Sequence, residues 1–262
     1  MSARNEKQDD RLDVVAVAPH PDDVELTCGA TLALLVKQGY RVGIIDLTSG
    51  EPTPRGSEET RAREAEAARR VLGVHVRLNL GLPNRLLMDE PEARFRLATE
   101  LRRFRPSVLI AMASRTPAAS PDHHQGHLLA EAARFYSQLT KWDDRFAGTA
   151  PHRVPHLVYA PTPFDAERRP WHSTFVIDVT DTFEQKLEAV RCYESQFDAA
   201  RFEMVRHFAT GYAAAEGARC GFKYGELFAL PHPVGAPDLV KLVRGATDAP
   251  AAKPGQGHLP MG

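Results

Sequence analysis

Short apolar runs alternate with amphipathic segments through the first half of the chain, which predicts a repeated strand–helix pattern. Strands are predicted where apolar residues follow one another or alternate with polar ones. They cover residues 12–18, 41–47, 74–80 and 107–113. Helices are predicted where apolar residues recur every three or four positions, over residues 29–38, 57–73, 91–104 and 123–139. Repeats of this length indicate a parallel sheet with right-handed crossovers.

The second half is less regular, with strands predicted over residues 156–160 and 174–179 and a helix beginning at 181–184. The fold class that follows is α/β, a Rossmann-like and mostly parallel sheet flanked by helices. We expect residues 1–11 to be a polar lead and residues 12–245 to form a single domain. Residues 246–262 are rich in Ala, Pro and Gly and predict a disordered tail.

Composition narrows the class of protein further. With 262 residues, 43% of them hydrophobic, the chain can bury one substantial core. The 33 Lys and Arg residues balance 34 Asp and Glu residues, so the charge predicts no partnership with nucleic acid or an anionic membrane. No apolar run is long enough to span a bilayer, and the N-terminus lacks an apolar signal segment. Three widely spaced cysteines without a CxxC pair are typical of reduced thiols and predict a cytoplasmic protein.

A histidine and three acidic residues lie together where the first predicted strand ends. His20, Asp22, Asp23 and Glu25 fall within six residues, at the edge of the sheet where α/β proteins bind ligands. Carboxylates this close repel one another unless a cation or a proton separates them. The cluster therefore predicts a metal site with a spare carboxylate for acid–base chemistry.

A second segment offers the missing ligand. His20 and Asp23 suit Zn²⁺ or another divalent first-row metal, and a catalytic zinc ion needs a third protein ligand. The sequence SPDHHQGH over residues 120–127 follows the strand at 107–113. Parallel strands deliver their carboxyl ends to one edge, so this segment can meet the first, and His123 is its best candidate.

Each of these residues also has a plainer interpretation. The HPDD sequence can form a turn followed by a helix N-cap, because Asp is common there. Asp122 is open to both interpretations, a simple N-cap or a functional carboxylate. His124 and His127 can be exposed helix residues.

Together, His20-Pro21-Asp22-Asp23-Val24-Glu25 and Pro121-Asp122-His123 resemble the LmbE/PIG-L family of zinc-dependent N-deacetylases. Further stretches resemble its bacillithiol-biosynthesis branch, which hydrolyses the acetamide of N-acetylglucosaminyl-malate. These stretches are Leu80-Gly81-Leu82-Pro83, Phe175 to Val179, Phe183-Glu184-Gln185-Lys186, Tyr193-Glu194-Ser195-Gln196-Phe197 and Gly221 to Glu226.

The resemblance implies a role for each matching residue. His20, Asp23 and His123 would bind one Zn²⁺ per chain, or another divalent ion such as Fe²⁺. Asp22 would act as general base and then as general acid. Asp122 matches the family's second catalytic aspartate.

The substrate-binding residues are implied in the same way. Arg61 matches the substrate-binding arginine, whose planar guanidinium suits sugar hydroxyls or a carboxylate. Its plainer interpretation is a surface arginine paired along its helix with Glu64. Glu51 is predicted to border the sugar pocket.

The chain departs from the family pattern at Ser120. The family has His-Pro-Asp-His, in which the first histidine stabilises the oxyanion and the aspartate orients it. A serine hydroxyl is a shorter and neutral donor. Either His124 or His127 replaces the histidine, the metal carries more of the charge, or the activity is altered.

The predicted function is metal-dependent removal of an N-acetyl group from an N-acetylglucosamine-type conjugate, with N-acetylglucosaminyl-malate as the first candidate. Alternatives are another N-acetylglucosamine glycoside as substrate, or a catalytically weak metal-binding relative. The absence of GxGxxG and P-loop sequences argues against nucleotide binding. A receiver-type phosphoacceptor is disfavoured because neither central strand ends in Asp. The partner is a small N-acetylated sugar, and the family suggests a homo-oligomer.

Overall fold

The computed structural model describes residues 10–113, 119–164, 173–238 and 242. Residues 1–9 of the predicted lead and the predicted tail over 246–262 lie outside the described residues. One compact unit ends at His232, and a second begins at Pro233. The domain boundary predicted at residue 245 stays a prediction. No helix among the described residues combines the length and apolarity needed to cross a membrane.

A seven-stranded sheet carries helices on both faces. Its strands are β1 (Val14–Ala18), β2 (Val42–Thr48), β3 (Val76–Leu82), β4 (Val108–Met112), β5 (His156–Ala160), β6 (Ser173–Asp178) and β7 (Gly225–Leu230). The helices are α1 (Asp23–Lys37), α2 (Glu58–Leu72), α3 (Pro91–Phe104), α4 (Asp122–Tyr136), α5 (Phe183–Arg191) and α6 (Ala199–Ala218), with a 3-10 turn at Asp143–Phe146. The predicted α/β class is confirmed.

Strand order in the sheet is β3-β2-β1-β4-β5-β7-β6. The first five strands are parallel, and β7 pairs antiparallel with both β5 and β6. Strand β1 is the middle one of the five parallel strands, with β2 on one side of it and β4 on the other. This is the topological switch point, where the carboxyl ends of neighbouring strands leave a crevice for ligands.

Two apolar cores lie on opposite faces of the sheet because successive side chains of a strand point to opposite sides. Val15 and Val17 of β1 pack with α3 and α4 on one face. Val14, Ala16 and Ala18 pack with α1, α2 and α5 on the other face. Burial on both faces explains why β1 is a continuous apolar run.

Several predicted boundaries were wrong. Helix α1 begins at Asp23 rather than at residue 29, because a short helical segment precedes the kink at Cys28 and the predicted helix is only the part after it. Strand β3 lies two residues beyond its predicted range. Helix α6 and strand β7 were not predicted as elements. By contrast, the predicted start of the helix at residue 57 is confirmed, since Ser57 is the N-cap of α2 and its hydroxyl accepts a hydrogen bond from the Thr60 amide at 3.2 Å.

Helix α1 is kinked at Cys28, whose backbone leaves helical geometry. The kink exposes the amide groups of Ala30 and Thr31, which donate to the Glu226 carboxylate at 3.2 and 2.7 Å. Lys186 of α5 pairs with the same carboxylate at 2.6 Å. Glu226 therefore caps the second half of α1 as an N-cap residue would.

Helix α4 packs against the end of β1 because Gly126 has no side chain. A Cβ atom there would lie 2.7 Å from Pro19 Cγ and 3.2 Å from Leu47 Cδ1. A real Cβ atom cannot approach the rigid proline ring this closely. Gly126 thus brings the first turn of α4 beside the loop that follows β1.

We expect Gly126→Ala to lower the free energy of unfolding by about 1–3 kcal/mol, because the added methyl overpacks this contact. Urea denaturation measures the change. Gly211→Ala is the matched control, since a Cβ atom at this α6 position meets nothing within 4 Å. The control should be neutral or stabilising by up to about 1 kcal/mol. Equal stability of the two variants would contradict the predicted clash.

Candidate metal centre

The segments that follow β1 and β4 form the site at the switch point. His20 lies in the loop after β1, and His123 lies in the first turn of α4, which follows β4. Because β1 and β4 are parallel neighbours, both segments reach the same edge of the sheet. The ring centroids of the two histidines are 5.4 Å apart.

Asp23 lies between the two imidazoles. Its carboxylate oxygens are 3.0 Å from His20 Nδ1 and 3.3 Å from His123 Nε2. One ligand atom from each of the three residues lies within 4.8 Å of the others. Two imidazoles and a carboxylate are the donor set of a catalytic zinc site, so these residues fit a divalent first-row metal.

The electrostatics of this group also favour a cation. Burial alone would raise the pKa of Asp23, but His123 and His20 together hold it well below its usual range. Burial alone would lower the pKa of His20, whereas Asp23 and Asp122 raise it to about 10. The two shifts have opposite signs because the imidazoles stabilise the ionised carboxylate of Asp23, while the carboxylates stabilise positive charge at His20.

Asp122 is the first residue of α4 and not its N-cap, a position that Pro121 occupies. Its Oδ2 atom lies 3.3 Å from His20 Nε2 and accepts a hydrogen bond of 2.7 Å from the Arg85 amide. The Ser120 hydroxyl accepts a hydrogen bond from the Asp122 amide at 3.3 Å. Asp122 therefore orients the ring of a candidate ligand, as carboxylates behind metal-binding histidines do.

Asp22 occupies the N-cap position of α1, but its side chain makes no capping hydrogen bond. Its φ of 120° is unfavourable for a residue other than glycine. Arg61 holds this turn by donating from Nη2 to the Pro21 carbonyl at 2.6 Å and lying 3.5 Å from Asp22 Oδ2. Burial raises the pKa of Asp22 to about 7, with Arg61 opposing the shift and the charge of Asp23 adding to it.

A cavity of about 280 Å³ joins these residues. Of the predicted site residues, the cavity brings together His20, Asp22, Asp23, Arg61, Ser120 and His123. Arg61 is not a surface residue, since it is only 3% exposed, and the pairing with Glu64 considered from the sequence is replaced by its contacts with Pro21 and Asp22.

Four predicted residues do not line this cavity: Asp122, described above, and His127, His124 and Glu51. The His127 ring contacts the Met112 carbonyl at 3.2 Å and lies 3.5 Å from Glu131. His124 also lies outside the lining. Glu51 accepts from the Thr53 amide and hydroxyl at 2.5 and 2.8 Å, and it borders a neighbouring cavity of about 680 Å³. Among the three candidate oxyanion donors, only Ser120 faces the metal ligands.

Sequence reasoning missed other residues that line the cavity. They are Leu26, Gly50, Thr53, Asn84, Arg85 and Gln196. Arg85 and Gln196 lie in loops far apart in the chain, so no spacing rule joins them to the metal ligands. For Gln196 a signal existed, because it belongs to one of the stretches that resemble the bacillithiol branch.

The model of the PIG-L family, GlcNAc-PI de-N-acetylase, matches residues 15–134, which hold all three candidate ligands. The crystal structure of a conserved protein from Thermus thermophilus is 36% identical, with a TM-score of 0.74 over 86% of this chain and 97% of that one.

Two curated relatives have named activities. Diacetylchitobiose deacetylase of Thermococcus kodakarensis is 29% identical over 233 residues, or 85% of this chain and 84% of its own. The 4-oxalmesaconate hydratase of Pseudomonas putida is 26% identical over 196 residues, or 70% of this chain and 73% of its own. Together with the shared fold and the family model, these similarities show that the chain belongs to the PIG-L family.

Proposed function

We propose that this protein is a metal-dependent hydrolase that removes the acetyl group from an N-acetylglucosamine-type conjugate. The observation that carries the proposal is one cavity shared by the His20, Asp23 and His123 cluster and the carboxylate of Asp22. Similarity to a diacetylchitobiose deacetylase over most of both chains supports the reaction class.

His20, Asp23 and His123 would hold the metal, and Zn²⁺ is the first candidate because the donor set suits it. Fe²⁺ is the second candidate, since imidazole also suits iron. Bound there, the ion supplies Lewis acidity, which activates water and polarises an acetamide carbonyl. Asp122 keeps the ring of His20 oriented.

Asp22 is the proposed general base. It borders the cavity beside Asp23 without capping its helix, so its carboxylate is available for proton transfer. It accepts a proton from the attacking water and passes the proton to the departing amine nitrogen, which completes hydrolysis of the C–N bond.

Arg61 is the proposed substrate anchor. Its Nε and Nη1 atoms are buried and make no hydrogen bond within the described part of the chain. Buried donors of this kind usually have a partner, and a sugar hydroxyl or a carboxylate would provide one. Arg85 adds a second guanidinium to the same cavity.

Ser120 is the proposed oxyanion donor. Its oxygen accepts from the Asp122 amide, which leaves its hydroxyl hydrogen available to donate. We expect Ser120→Ala to lower kcat about ten-fold, less than the 10²–10³-fold typical of a well-placed donor. Steady-state kinetics of Ser120→Ala, His124→Ala and His127→Ala, each measured with full metal loading, compare the three residues. A larger loss in either histidine variant would transfer the role to that histidine.

The preferred substrate we propose is N-acetylglucosaminyl-malate, because two guanidinium groups border the cavity and the malate carboxylates would pair with them. An amine-release assay tests this with zinc-loaded protein and four substrates: N-acetylglucosaminyl-malate, N-acetylglucosamine, diacetylchitobiose and an N-acetylglucosaminyl-inositol. Amine release from any of the four supports deacetylation, and the highest kcat/KM for the malate conjugate supports the branch.

Two results would redirect the proposal. Hydration of 4-oxalmesaconate without amine release would favour the reaction named for the Pseudomonas relative. Tight zinc binding without turnover of any of these substrates would favour a catalytically weak metal-binding protein. A cytoplasmic location and a homo-oligomeric state stay predictions.

A further inference from the structure

Glu25 is fully buried two residues beyond the candidate ligand Asp23. Arg77 Nη1 donates to its Oε1 atom at 2.5 Å, and the Tyr193 hydroxyl donates to the same atom at 2.9 Å. Arg77 also binds both carboxylate oxygens of Asp46, at 2.7 and 2.9 Å. Two buried carboxylates therefore share one guanidinium group. The Tyr193 hydroxyl gives Glu25 a further hydrogen-bond donor, which a buried carboxylate needs.

The ring of Tyr193 packs against Arg61, the proposed substrate anchor. Its centroid lies 5.6 Å from the Cζ atom of Arg61, within the range of a cation–π contact. A Cβ atom on Gly50 would lie 2.8 Å from Arg61 Nη2, so the backbone of Gly50 packs closely on the same guanidinium. Arg61 in turn holds the Pro21 carbonyl beside Asp22.

Ser195, two residues after Tyr193, contacts helix α2. Ser195 donates to the Glu64 carboxylate through its amide and its hydroxyl, both at 2.7 Å. Glu64 lies on α2, three residues after Arg61. The segment after α5 therefore contacts α1 through Glu25 and α2 through Arg61 and Glu64.

We propose that Tyr193 is a positioning residue that aligns the first turn of α1 with Arg61. Its hydroxyl acts through Glu25 on the turn that carries Asp22 and Asp23, and its ring acts through Arg61 on the substrate. The inference rests on the proposed function and goes beyond it, because Tyr193 does not line the cavity. The two halves of the side chain should therefore have separable effects.

Two variants separate the hydroxyl from the ring. We expect Tyr193→Phe to weaken zinc binding and to lower kcat, each about ten-fold, the scale for residues that support metal ligands. Its KM should stay within about two-fold of the wild-type value, because the ring still backs Arg61. Tyr193→Leu removes the ring as well and should also raise KM about ten-fold.

Zinc affinity is measured by competition with a chromophoric chelator, and kcat and KM are measured on zinc-saturated protein. Tyr136→Phe is the matched control, because this tyrosine hydroxyl also has a charged partner, Arg94 at 3.4 Å, at the far end of α4. The control should leave zinc affinity, kcat and KM unchanged.

A purely structural role predicts a different result. In that case Tyr193→Phe would lower the urea midpoint of unfolding while its zinc affinity, kcat and KM equal those of the wild type, and the inference would be overturned. Failure of the proposed function is distinguishable, since wild-type protein would then release no amine from any substrate. The zinc titration would still decide the role of Tyr193, because it does not depend on turnover.

Discussion

Replacing His123 by alanine is expected to reduce bound zinc from about one ion per chain to background and to lower turnover about a thousand-fold. His123 supplies one of the three ligand atoms that lie within 4.8 Å of one another, and a two-ligand remnant cannot hold a catalytic ion firmly. Loss of a Lewis acid removes several kcal/mol of transition-state stabilisation, which corresponds to a loss of this size.

Elemental analysis after dialysis against a weak chelator measures the zinc, and amine release measures turnover. His207→Ala is the matched control, since His207 is an exposed residue of α6 and its loss should change neither quantity. Wild-type turnover in a zinc-free His123→Ala protein would refute the metal-dependent mechanism.

Asp22→Asn is expected to keep the metal and to lose about a thousand-fold in kcat. Asparagine preserves the shape of the side chain beside Arg61 but cannot accept a proton, and general acid–base catalysis contributes about 10²–10⁴-fold. The loss should therefore fall on kcat rather than on zinc content or KM.

The same elemental analysis and steady-state kinetics test this prediction. Asp144→Asn, at an exposed position of the 3-10 turn, serves as the matched control for a change from acid to amide. If Asp22→Asn turned over substrate at nearly the wild-type rate, the general base would have to be another residue. If it lost the zinc, Asp22 would belong to the ligand set.

The parallel half of the sheet could be predicted because its strands are short apolar runs with clear helices between them. β1 is buried at every position, and a short unbroken apolar run between turn residues is what a strand covered on both faces requires. The candidate ligands could also be predicted, since His20 and Asp23 are close in sequence and His123 follows a neighbouring strand. Local motifs and strand order were enough to bring these residues together.

The remaining features depend on contacts that sequence spacing does not encode. The start of α1 was missed because the helix is kinked at Cys28, and only the part after the kink has the apolar period of the predicted helix. Helix α6 has no clean apolar face, since Met204 and Phe208 are more than half exposed. Tyr193 lies 168 residues from its partner Glu25.

The kink in α1 has a consequence for how the protein folds. Amide groups at Ala30 and Thr31 are capped by a carboxylate 196 and 195 residues later in the chain. Contacts that span most of a chain slow folding, because the entropy of closing the loop must be overcome before they form. The turn that carries the candidate ligand Asp23 lies at the start of α1, yet the helix is complete only when Lys186 and Glu226 have docked on it. An N-terminal fragment that retains all three candidate ligands but ends before β7 should consequently hold the metal site on an unfinished helix.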